Sequence, residues 1–114
     1  MSARRPQRSR ANAFKIQPTV HFDNEASQIA TVVEVECLDR PGLLYDMTQA
    51  IFESGLSIST SMIATYGERA MDVFYVRDGF GHKVTHPNRI AAVEARIMMA
   101  LEPDTLEATP AAGA

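Results

Sequence analysis

The chain has 114 residues, 46% of them hydrophobic and 22% charged, with a formal net charge of −3. That suits one small domain with a modest core, and it excludes a wholly disordered chain. No apolar run approaches the roughly 20 residues a helical membrane span needs, and the basic first residues lack the apolar centre of a signal peptide. The single cysteine, Cys37, excludes an intrachain disulfide, which points to a reducing, cytoplasmic setting.

The charge is unevenly spread. Arg4, Arg5, Arg8, Arg10 and Lys15 are five of the 11 basic residues, and no acid precedes Asp23. Residues 1–13 therefore read as a basic, disordered linker. The acidic body that follows argues against a nucleic-acid partner, and nothing in the pattern asks for a membrane.

From residue 14 a folded domain is expected to run to 102, followed by a disordered tail over 103–114. Phe14, Ile16, Pro18, Val20 and Phe22 alternate with polar residues, the period of a half-buried strand. Pro18 cannot donate to a ladder, which places this strand at a sheet edge. Residues 23–27 then form a hairpin loop. The next strand, about Ala30 to Leu38, sets Val33, Val35 and Cys37 against Glu34 and Glu36.

A helix is predicted from Pro41 to Ser54, with Leu44, Met47, Ala50 and Ile51 on its apolar face and Gly55 ending it. Strands Ser57–Tyr66 and Arg69–Arg77 follow, joined by Gly67-Glu68, where glycine at the first central position suits a type II′ turn. Their register puts Ile58, Met62, Ala64, Tyr66, Met71, Val73 and Tyr75 on one face, read as the core. Phe74 and Val76 fall on the other face among serines, and read as an exposed patch for a partner. A second helix, Pro87 to Leu101, turns Ile90, Val93, Ile97 and Leu101 inward. The order strand, strand, helix, strand, strand, helix predicts an α+β, ferredoxin-like domain. Its four-stranded antiparallel sheet carries two helices on one face, and the N-terminal strand takes the place of the usual last strand.

Catalytic signals are missing. His21, His82 and His86 have no metal-ligand spacing with each other or with Cys37. The serines lack a partnered base, no carboxylate pair stands out, and Gly79 and Gly81 lack the rest of a phosphate loop. Binding has better support. Pro41 and Gly42 make a tight entry to a helix whose first N–H groups, near Leu43 and Leu44, can take a carboxylate. Asp39 can take an ammonium group, and Ser57 with Ile58, brought by the helix to the same end of the sheet, can add contacts. The alternative is that Asp39 caps the helix and Ser57 faces water.

The segment TVVEVECLDRPGLLYDMTQAIFESGLSIS resembles an ACT domain, the small-ligand regulatory module, above all in its D-R-P-G-L-L turn and the Gly55 break. FKIQPTVHFDNEASQIATVVEV and IATYGERAMDVFYVRDGFGHKV are similar to the last, C-terminal ACT repeat of the bifunctional PII uridylyltransferase/uridylyl-removing enzyme family. The resemblance implies glutamine sensing that controls uridylylation and deuridylylation of PII signal proteins in nitrogen regulation. It implies a ligand site at Asp39, Gly42, Leu43 and Leu44 with Ser57 and Ile58, shared with another ACT domain, either a homodimer copy or a preceding repeat. Many ACT sites have asparagine where Ser57 stands. The family's Mg2+-using nucleotidyltransferase domain and its HD hydrolase domain have no counterpart here, so this chain alone is expected to carry no catalysis and no cofactor. PII would then be reached only through a parent enzyme. A ligand-free pairing module and a free-standing ACT protein are the alternative readings.

Overall fold

The computed structural model describes residues 16–102. The expected linker, Phe14 with Lys15, and the tail lie outside these residues. Four strands, β1 (Thr19–Asp23), β2 (Thr31–Leu38), β3 (Ser57–Tyr66) and β4 (Arg69–Arg77), and two helices, α1 (Leu43–Glu53) and α2 (Pro87–Ala100), follow in the predicted order. The sheet is antiparallel throughout with strand order β1-β2-β4-β3, so β1 occupies the edge beside β2, as expected.

The predicted helix start needs correction. Pro41 and Gly42 are not helical, and α1 begins at Leu43. Gly42 sits at φ 78°, ψ 0°, and the Leu43 N–H donates to the Arg40 carbonyl at 3.2 Å. Proline then glycine at the centre of such a bond is a type II turn, in which the second central residue needs positive φ. The Gly42 carbonyl then accepts the first helical bond, from the Asp46 N–H at 3.0 Å. At Gly67-Glu68 the expectation holds: Gly67 has φ 62° and no non-glycine residue among those described has positive φ, as a type II′ turn requires. His86 caps α2, its Nδ1 accepting the Asn88 N–H at 3.1 Å, with Pro87 in the first turn.

The faces of the β3–β4 hairpin are the reverse of those expected. Ala70, Asp72, Phe74 and Val76 are buried beneath the helices with Val33, Val35 and Cys37 of β2. The register couples them: Phe74 lies opposite Val33, Asp72 opposite Val35 and Ala70 opposite Cys37. Met62, Tyr66 and Met71 are exposed on the uncovered face instead. An irregularity between Ile58 and Thr60 lets Ser59 bulge. Ile58 thereby pairs with Val76 and joins the core side, while Thr60 pairs with Tyr75 on the open side. Met47, Ala50, Ile51, Val93 and Ile97 close the core from above. No helix among the described residues is long and apolar enough to cross a membrane.

Candidate functional site

The turn after β2 is held from three directions. The Asp39 N–H donates to the Glu68 carbonyl at 2.7 Å, fixing the turn to the β3–β4 hairpin. The Arg40 guanidinium donates to the Pro41 carbonyl at 3.2 Å and, through Nη2, to the Ala100 carbonyl at 2.7 Å. The same Nη2 pairs with Asp46 Oδ2 at 2.9 Å. A cation at the last carbonyls of α2 opposes the negative end of its dipole, so Arg40 stitches the turn to both helices. Sequence reasoning missed Arg40, because its anchor lies 60 residues away and leaves no local spacing to read.

No side chain caps α1. Asp39 is exposed and does not cap it, contrary to the alternative reading. The backbone N–H groups of Leu44 and Tyr45 therefore face an exposed helix start able to receive an anion. Leu43 is buried and serves the core, whereas Leu44 is 45% exposed at the same turn.

Ser57 and Ile58 are not at this end of the sheet. Leu38 pairs with Arg69, while Ser57 pairs with Arg77 at the far end of the same strand. Eight residues at about 3.3 Å each separate the two positions by roughly 26 Å. The error has a simple physical source: β2 and β3 run in the same direction, so α1 carries the chain back before β3 begins. Asp39, Gly42, Leu43 and Leu44 are brought together within one chain, and Ser57 with Ile58 are not. A cleft of about 740 Å³ walled by Ile16, Tyr66, Gly67, Glu68, Arg69 and Met71 lies next to the turn. It opens on the uncovered sheet face, away from the helix N–H groups.

Beneath the turn lie buried groups of unusual character. Asp72 is 3% exposed and its Oδ1 has no hydrogen-bond partner among the described residues. Burial raises its carboxyl above the usual range, the Ala64 backbone N–H opposes this, and Asp39 adds to the rise. Burial also pushes the Cys37 thiol up to about 11, helped by Asp72 and opposed by Arg40. A thiol so placed is a poor nucleophile. We expect negligible labelling of native Cys37 by Ellman's reagent at pH 8 and full labelling in denaturant; rapid native labelling would contradict its placement. No group of three or more potential ligands that could hold a metal occurs among the described residues.

The topology, the β-turn into α1 and the open helix start define a small α+β module of the regulatory ACT type. The model of the "ACR family N-terminal ACT domain" matches residues 26–102, and the chain belongs to that family. Bifunctional uridylyltransferase/uridylyl-removing enzymes are similar to it. That of Azospirillum brasilense is 52% identical over 96 residues, covering 84% of this chain and 10% of the relative. That of Zymomonas mobilis subsp. mobilis is 52% identical over 93 residues, covering 82% and 10%. A Bradyrhizobium sp. (strain BTAi1) relative is 45% identical over 111 residues, covering 96% and 12%. The chain thus spans about a tenth of the length of these relatives. Among solved structures, an unknown protein from Galdieria sulphuraria shares the fold, with a TM-score of 0.51 at 19% identity over 63% of this chain and 38% of that one.

Proposed function

We propose that this chain is the glutamine-sensing ACT domain of a cytoplasmic uridylyltransferase/uridylyl-removing enzyme, controlling modification of PII signal proteins in nitrogen regulation. The observation that carries the reading is the uncapped start of α1 behind a rigid type II turn, in a sequence 52% identical to enzymes so named. The turn offers a ligand carboxylate the Leu44 and Tyr45 N–H groups and an ammonium group the exposed Asp39.

The site calls for a second ACT unit. β3 is a sheet edge of ten residues, with one row of backbone groups unpaired within the sheet. Antiparallel pairing of this edge with the same edge of a second unit reverses one strand against the other. The start of the second unit's β3, with its Ser57 and Ile58 equivalents, then comes to the end where this chain's turn lies. Ligand held at that seam favours one arrangement of the two units, and the bias passes to the remainder of a longer enzyme.

Calorimetry of the 114-residue chain with millimolar L-glutamine tests the reading. We expect saturable binding, lost in Gly42→Asp, whose fixed carboxylate lies where the ligand's would go. Gly42 has room for a side chain, its Arg40 neighbour being 4.0 Å away, so strain from the positive φ is the main structural penalty. A folded dimer that ignores glutamine would favour the ligand-free pairing module, which the long β3 edge also suits.

A further inference from the structure

The uncovered face of the sheet carries an apolar strip with an acidic border. Met62, Tyr66 and Met71 are exposed on it, and Val73 and Tyr75 are half-buried on the same face. The border is formed by Glu34 and Glu36 of β2, opposite Val73 and Met71. Glu36 pairs with Arg69 at 2.9 Å, whereas Glu34 is exposed and forms no ion pair among the described residues. The chain upstream of β1 leads onto this face. Pro18 offers no N–H to a ladder, β1 starts only after it, at Thr19, and the backbone bends at Ile16. Ile16 leads into the strand at one edge of the sheet, yet it walls a cleft with Tyr66 of β3, the opposite edge, and Met71 of β4. Three inter-strand spacings, about 14 Å, separate those edges. The lead-in to β1 therefore turns over the open face instead of extending the edge strand.

We propose that this face is the docking surface of the chain's own N-terminal segment, residues 8–15, with Phe14 seated beside Ile16 on Tyr66 and Met71. Period-two spacing sets Arg8, Arg10, Phe14 and Ile16 on one side of an extended segment and Ser9 and Lys15 on the other. Two residues of extended chain reach up to about 7 Å, which keeps Phe14 beside the cleft that Ile16 walls. Four more add about 14 Å at most, enough to carry Arg10 across β4 to Glu34. Charge selects this occupant over a second copy. No acid precedes Asp23, so the segment brings only bases to the acids of β2. A second copy seated on the face would bring its own Glu34 and Glu36, and like charges oppose that pairing. Docking covers the face and leaves the backbone of the β3 edge free, so it is independent of ligand sensing and of pairing along β3. Any other partner of the face must first displace the segment.

The test places a nitroxide on the full 114-residue chain through Ser9→Cys and reads the methionine methyl signals by NMR. Cys37 is buried and stays unlabelled in the native chain. We expect Met62 and Met71 to lose most of their intensity, while Met99, exposed on the helix side, keeps most of its own. Adding Phe14→Ser should restore both signals, and high salt should restore them in part. The signal of Met47, fully buried, reports that each variant is folded. Equal losses at Met62, Met71 and Met99 mean that the segment selects no face, and overturn the proposal. Intact Met62 and Met71 signals, or losses that survive Phe14→Ser, overturn it as well. Mixing nitroxide-bearing chains with isotope-labelled chains that lack the nitroxide identifies the source. Losses that appear in the mixture show a second copy as the occupant and overturn the proposal.

Discussion

Replacing Phe74 with alanine should destabilise the domain by about 3–5 kcal/mol, the range for truncating a buried aromatic side chain. Phe74 is fully buried, paired with Val33 on one side and Ser61 on the other, beneath the helices. Small domains have only about 5–15 kcal/mol in total, so much of the population would unfold under mild stress. Met62→Ala on the opposite face should change stability by less than about 1 kcal/mol, since Met62 is 52% exposed. Urea midpoints for the two variants check the pair. Equal losses would mean that the faces are wrongly assigned.

That assignment is where the sequence was least legible, and the reason lies in particular residues. β3 is an edge strand exposed along nearly its whole length, so its composition does not identify the core side. Its serines made the Phe74 side look wet, and Met62 and Tyr66 made the other side look dry. β2 held the needed information in the contrast of Val33, Val35 and Cys37 with Glu34 and Glu36. Transferring it to β4 requires the β2–β4 register, a contact across more than about 30 residues that no local pattern encodes. Asp72 reinforced the error, because an acid is seldom buried without a partner. The element order, the β3–β4 turn and the edge place of β1 were legible, because each depends on local periodicity or on glycine and proline chemistry.

Replacing Arg40 with alanine should lower stability by about 2–3 kcal/mol, from the loss of charge-assisted hydrogen bonds to the Ala100 and Pro41 carbonyls. Asp46 would lose its 2.9 Å partner as well, in a pair whose side chains are only 15% and 30% exposed. At about 4–8 °C per kcal/mol for a domain of this size, the melting temperature should fall by roughly 10 °C or more. Arg40→Lys should recover only a minor part of that. A single ammonium group has no planar fork with which to reach the end of α2, the turn carbonyl and the first turn of α1 together. The loss should also be local in a diagnostic way. The N–H groups of Leu101 and Glu102 close the last turn of α2 by bonding to the carbonyls of Ile97, Met98 and Met99. Without Arg40, hydrogen exchange at these two amides should quicken well before the β2–β4 ladder opens. Unchanged protection there, with stability lowered uniformly, would show that Arg40 merely adds to the core. Faster exchange confined to the α2 end would make it the link by which an event at the turn reaches the chain beyond Glu102. The proposed sensing role needs such a link, since a turn that binds a ligand regulates nothing unless its state is felt elsewhere, and Arg40 joins the turn to both helices.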